Sequence, residues 1–156
     1  MARPAGPPPL VPFGLVLHHD GHWTHEGQPV RNRRLRALFD KSVRYLTDER
    51  KYVVQVQHYR GEIEVEEAGF FVREFDPESG EVALSDGERE VLDISSLRPS
   101  ARDGALLCRV KFELAAGGLP ARFSHAAQAE FMNAVEAGGD RAAVRIAGRL
   151  RPLPPL

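Results

Sequence analysis

Four of the six histidines of this 156-residue chain, His18, His19, His22 and His25, crowd around Asp20-Gly21. Asp-Gly between two strand-like runs is the two-residue signature of a type I′ hairpin. With that turn, His19 faces His22 on one side and His18 pairs with Trp23 on the other. Cross-strand neighbours lie ~5 Å apart at Cβ, so two imidazoles could share a metal. A zinc site wants three or four ligands held by supporting hydrogen bonds, and no Cys or acidic residue at characteristic spacing completes one. No metal and no cofactor is expected, and a metal-assisted hydrolase using these histidines stands as the alternative reading.

Cations and aromatics form a second constellation. Trp23, His25, Tyr52, Tyr59, Arg60 and Arg122 could line a cleft between two modules, with Arg60 or Arg122 holding an anionic group by paired hydrogen bonds. The ligand-binding residues expected from the sequence are therefore Trp23, His25, Tyr59, Arg60 and Arg122. Glu64, Glu66 and Glu67 could do acid-base work, yet alternation puts Glu64 and Glu66 on one solvated strand face. No nucleophile elbow, phosphate-binding glycine loop, Cys-x-x-Cys pair or His-Glu-x-x-His helix occurs, so no catalytic residue is assigned.

The elements that must position these side chains follow from periodicity. Leu35, Leu38, Phe39, Ser42, Tyr45 and Leu46 make one helical stripe, with Asn32 placed to cap its first turn. Strands alternating with period two are expected over 52–59 and 62–66 around Arg60-Gly61, then over 70–75, 81–85 and 88–94. Two more are expected near Leu106 to Leu114 and at Ala121 to Phe123, followed by a helix capped by Ser124 and stopped by Gly138-Gly139, and a last strand over 143–150. The fold class is α+β, mostly antiparallel, with about two packing helices. Gly27-Gln28-Pro29-Val30-Arg31 and Gly118-Leu119-Pro120-Ala121-Arg122 echo each other, each before a helix carrying a Phe and a Val four residues apart. That predicts two related strand–turn–helix units with Phe39, Val43, Phe131 and Val135 facing the core. The domain organisation read from this is a flexible Pro-rich arm over 1–13, an N-terminal module over 14–95, a C-terminal module over 96–150 and a Pro-rich tail over 151–156.

The first two-thirds resembles an uncharacterised bacterial family, the domain of unknown function 1285 family. The resemblance rests on Asp20-Gly21-His22-Trp23, Glu26-Gly27-Gln28-Pro29-Val30, Leu35 to Phe39, and Ile63-Glu64-Val65-Glu66-Glu67-Ala68-Gly69-Phe70. It implies an α+β fold of two related modules, in a family with no established reaction and a suggested role in signalling or small-ligand binding. The chain departs from the family pattern at Val56-Gln57-His58-Tyr59-Arg60, which keeps a cation from that loop and loses the rest.

Bulk properties narrow the reading. The formal net charge of -1 hides a basic first helix, with Arg31, Arg33, Arg34, Arg36, Lys41 and Arg44 against Asp40, and an acidic middle where twelve acids from Glu62 to Asp93 meet only Arg73 and Arg89. One account is a basic face lying near an acidic one, within the molecule or across a homo-oligomer. Nucleic-acid binding through the basic helix is a further alternative, weakened by the acidic middle and the lack of interleaved aromatics. The lone Cys108 sits in an apolar run and reads as a small buried hydrophobe in a reducing compartment. No stretch approaches a membrane span, so a cytoplasmic protein without a membrane partner is expected. The leading reading is a non-catalytic module that binds a small anionic ligand or a protein partner, with a signalling or regulatory role.

Overall fold

The computed structural model describes residues 11–57 and 59–156, with the side chains of Val11, Pro12, Phe13 and Tyr59 outside the description. The chain divides into two compact units between Glu67 and Ala68, whereas the sequence placed a module boundary at 95/96. The reason is strand pairing: the described strands after residue 68 hydrogen-bond among themselves, in sheets separate from that of the chain's first 65 residues.

The first unit holds β1 (Val11–Leu17), β2 (Trp23–His25), β3 (Gln28–Pro29), α1 (Arg33–Ser42), β4 (Val43–Leu46), β5 (Lys51–Val56) and β6 (Tyr59–Val65). They form one sheet in the order β3-β2-β1-β6-β5-β4. Two antiparallel meanders meet at its centre, where β1 and β6 run parallel. The arm expected over 1–13 therefore ends sooner: Val11–Phe13 belong to β1, and residues 1–10 lie outside the described residues.

Helix α1 is capped as expected, the Asn32 side-chain oxygen accepting from the Leu35 amide at 3.0 Å. It stops at Ser42, four residues before the end of its apolar stripe. Val43 turns extended (φ -64°, ψ 130°), and Val43, Arg44, Tyr45 and Leu46 pair with β5 instead. Val43 is β-branched and Tyr45 aromatic, types that suit a pleated surface, and the Tyr45 and Tyr52 rings meet edge to face at 5.0 Å. The next turn also shifts. Val56 pairs with Tyr59, so Gln57, with φ +51°, turns the chain and Arg60-Gly61 lies inside β6.

The second unit holds β7 (Phe70–Phe75), β8 (Glu81–Leu84), β9 (Arg89–Val91), a 3-10 turn (Ile94–Ser96), β10 (Arg98–Pro99), β11 (Leu106–Val110) and β12 (Leu119–Phe123). Then come α2 (His125–Asn133), β13 (Val135–Gly138), β14 (Arg141–Ile146) and β15 (Arg149–Pro152). The order β10-β11-β12-β7-β8-β9, with β12 parallel to β7, has the same connectivity as the first sheet: a meander running outward, a helical turn, and a meander running back to the centre. Phe131 of α2 is fully buried, edge to face with Phe75 at 5.2 Å and Phe123 at 5.7 Å.

Among the described residues the fold is thus α+β with two helices and two similar six-stranded sheets, the second unit adding a three-stranded one. The Gly-x-Pro echo does recur as strand, helix, strand, and Val43 and Phe131 are buried while Phe39 and Val135 are half-buried. Its two copies occupy different places, however. Pro29 lies on the edge strand β3 and Pro120 on the central strand β12, so the shared connectivity pairs β3 with β9 rather than with β12. The end of the chain differs from expectation as well. Helix α2, capped by Ser124, ends at Asn133, and Gly138-Gly139 belongs to the β13–β14 hairpin. The expected single strand over 143–150 is broken by Ala147-Gly148, both with positive φ (51° and 77°), which turns β14 into β15. The Pro-rich tail is anchored there: Leu153 is buried, and its amide donates to the Ala142 carbonyl at 3.0 Å.

Candidate functional site

The histidine hairpin closes one register away from the expected one. Leu17 pairs with Trp23, leaving His19, Asp20 and Gly21 as a three-residue loop between His18 and His22. Gly21 (φ +94°) donates to the His18 carbonyl and His18 donates to the His22 carbonyl, both at 2.9 Å. This is a type I turn followed by a left-handed residue, the usual three-residue solution. The type I′ pair is Glu26-Gly27 (φ +50° and +82°), joining β2 to β3.

The shift replaces the expected His19–His22 and His18–Trp23 pairs with a clamp on one carboxylate. His18 places Nδ1 3.1 Å from Glu66 Oε2 and Nε2 2.9 Å from Thr24 Oγ1. The His19 ring meets the other Glu66 oxygen, to which the His19 amide also donates at 3.3 Å. Glu66 therefore ties the hairpin loop to the end of β6 rather than facing solvent beside Glu64. His22 Nδ1 lies 2.7 Å from Asp20 Oδ1; burial works to raise the Asp20 pKa, but the hydrogen bonds from the His22 amide and ring hold it below its ordinary value. Among the described residues no group of three or more His, Cys, Asp or Glu is placed to hold a metal.

Trp23 is 1 % exposed, beneath α1, with its ring 5.3 Å from that of Phe39 and its Nε1 donating to Asp40 Oδ1 at 2.9 Å. His25 lies two residues along β2, exposed. Arg60 is half-buried in β6, and the Tyr59 side chain is outside the description. Arg122 belongs to the second unit, where it is buried and grips both Asp103 oxygens, at 3.1 and 2.5 Å. Its guanidinium fork is thereby committed within the protein.

The concavity that the first unit does present is a groove of about 620 Å³ between the β1–β3 meander and α1. Leu15, Pro29 and Val30 wall one side, and Leu35 and Phe39 of the helix the other; His25, Glu26, Gln28, Arg31 and Asn32 supply its polar edge. Its walls are fixed locally. The Arg36 guanidinium donates to the Val30 and Arg31 carbonyls at 3.3 and 3.2 Å, and the Val30 amide donates to the Trp23 carbonyl at 2.9 Å. The same helix leaves Leu35 40 % and Leu38 43 % exposed, although its stripe reads as core in the sequence. Of the expected residues, His25 lines this groove and Trp23 lies behind Phe39. Leu15, Pro29, Val30, Arg31 and Leu35 were not foreseen as a site, and the signal that could have found them is a short helix carrying more apolar residues than one meander can cover.

A second cluster lies in the second unit. Lys111, 8 % exposed and at φ +54°, places Nζ 2.6 Å from Asp86 Oδ2 and 4.9 Å from the Phe70 ring centroid. Its amide donates to both Glu90 oxygens at 3.2 Å. Burial raises the Glu90 pKa above its ordinary value, against that amide bond and with the Glu113 carboxylate adding to the rise. Lys111 and Asp86 neutralise each other within the cluster. The cluster fastens β8, β9 and β11 at one end of the sheet.

No family model and no curated protein matches the chain. Two solved structures do. A DUF1285 family protein from Silicibacter pomeroyi DSS-3 is similar with a TM-score of 0.62 and 15% identity, over 94% of this chain and 82% of that one. A DUF1285 family protein from Shewanella baltica OS155 is similar with a TM-score of 0.51 and 18% identity, over 79% of this chain and 92% of that one. With its two six-stranded sheets of like connectivity, the chain has the fold of these DUF1285 family proteins, the family its N-terminal motifs resemble.

Proposed function

We propose that this chain is a divergent DUF1285 family member that acts as a non-catalytic binding module, cytoplasmic and with a signalling or regulatory role, and that its first unit binds a small ligand in the groove between the β1–β3 meander and α1. The observation that carries the reading is the groove itself, about 620 Å³ with two apolar walls and a polar edge at His25 and Arg31. Its size and make-up match those of small-molecule sites in general. The committed side chains elsewhere support it: Arg122 is taken by Asp103, Lys111 by Asp86, and His18 and His19 by Glu66.

The test is a thermal-shift screen across metabolites, divalent metals and short oligonucleotides, repeated on Leu35→Asp. A ligand that binds only the native state raises the midpoint. Leu35 is 40 % exposed, so the variant keeps its fold while putting a charge into the groove wall. A metabolite hit lost in Leu35→Asp is the expected result. A hit on zinc that depends on His18 and His19 would put the hydrolase reading in its place, and an oligonucleotide hit would favour the basic face of α1.

A further inference from the structure

We infer that the ligand of this groove is a free aliphatic anion, a hydrocarbon chain ending in a carboxylate or phosphate; the inference rests on the groove reading above. Two observations fix the two halves of such a molecule. Apolar walls stand on both sides, Leu15, Pro29 and Val30 facing Leu35 and Phe39, so a chain inserted between them loses water from its whole flank. Leu38, 43 % exposed on the same helix, lies outside that lining.

Charge selects the head group. Arg31 lies at the groove edge, ahead of the Asn32 cap of α1, and Arg33, Arg34 and Lys41 are exposed on that helix. The ion pairs among the described residues do not include any of these four. The single acid of the helix, Asp40, is turned to the Trp23 indole, and the first turn of α1 carries no acid. Glu26 is the acid in the lining. It follows the β2 strand at φ +50°, with its Cγ packed over Gly14, whose added Cβ would stand only 3.0 Å away. The guanidinium of Arg31 is permanently charged and shaped for two oxygens, while its own carbonyl is held by Arg36 at 3.2 Å, which fixes the backbone that carries it.

The probes are octanoate, octanol and octylammonium, titrated below their micelle concentrations into the full chain, read by calorimetry and by the fluorescence of Trp23. As the only tryptophan, packed on the Phe39 groove wall, Trp23 reports occupancy directly. Octanoate should bind tightest and octylammonium weakest, with hexanoate, octanoate and decanoate tightening two- to fourfold per methylene, the upper figure corresponding to full burial. Arg31→Gln should bring octanoate to the affinity of octanol and leave octanol unchanged; Leu35→Asp and Leu35→Ala should weaken all chains. Equal binding of octanoate and octylammonium, or an octanoate preference that survives Arg31→Gln, overturns the anion and leaves the groove reading standing. Binding to phosphatidylglycerol vesicles with no binding of octanoate or decanoate overturns the free-ligand assignment. If neither these probes nor any screened metabolite responds to Leu35→Asp, the inference and the groove reading fall together.

Discussion

Replacing Trp23 by Ala tests the packing on which the groove rests. The side chain is 1 % exposed, its ring tilted against that of Phe39 at 5.3 Å and bonded through Nε1 to Asp40. A buried tryptophan removes about 150–250 Å² from water, worth about 4–6 kcal/mol at 25 cal/mol/Å² as an upper bound. Measured large-to-small core changes cost about 3–5 kcal/mol, and we expect a loss in that range. Trp23→Phe separates ring from donor: most of the apolar area stays, and the half-buried Asp40 loses the indole N–H, for about 1–3 kcal/mol. Urea denaturation followed by circular dichroism gives the total, and hydrogen exchange resolves which unit loosens. Amides of the first sheet should lose protection, and those around Phe75 and Phe131 should keep theirs. A midpoint unchanged in Trp23→Ala would refute the account, since it would mean that α1 gains nothing by covering the meander.

The remaining predictions address the second unit. The raised pKa of Glu90 means that its protonation stabilises the fold: that contribution is complete below the ordinary carboxyl value of 4.5 and is lost as pH rises through the raised value. Glu90→Gln, which keeps an acceptor for the Lys111 amide, should flatten the pH dependence of stability above pH 4.5; an unchanged slope would show that Glu90 is not its source. Gly117 and Gly118 share positive φ (79° and 76°), but an added Cβ meets open space at 117 and, at 118, the Val110 carbonyl oxygen at 3.0 Å. Gly117→Ala should cost roughly 1 kcal/mol from backbone strain alone, and Gly118→Ala clearly more, measured as paired urea midpoints. Burial pushes the Cys108 thiol up to about 12, so a thiol reagent at pH 8 should label it only at the rate of unfolding, and fast labelling of the native chain would contradict its place in β11.

What the sequence made legible was patterned by period. Period two marked most strands, and Asn32 and Ser124 marked both helix starts, because a cap is a local bond from a side chain to an amide three residues on. The misreadings fall where chain reversal is decided by partners distant in sequence. Tyr45 and Leu46 continue the helical stripe, yet β5 offers them hydrogen bonds and the Tyr52 ring, so tertiary pairing overrides the period. Asp20-Gly21 and Glu26-Gly27 are both adequate turns alone. The register that buries both Leu17 and Trp23 assigns the two-residue turn to the second.

That one-residue choice also decides the candidate site. With His19 opposite His22, the hairpin would present two imidazoles as a pair; with Leu17 opposite Trp23, His18 and His19 instead close on Glu66. Trp23 then points beneath α1, where it meets Phe39 and Asp40. The helix cannot bury its whole stripe in that position. Leu35 and Leu38 stay in reach of solvent, and the space between Leu35, Phe39 and the Pro29-Val30 segment becomes the groove. The site thus follows from turn geometry rather than from any chemical motif, which is why reading residue types for chemistry led to the histidines and reading register leads to Arg31 and Leu35.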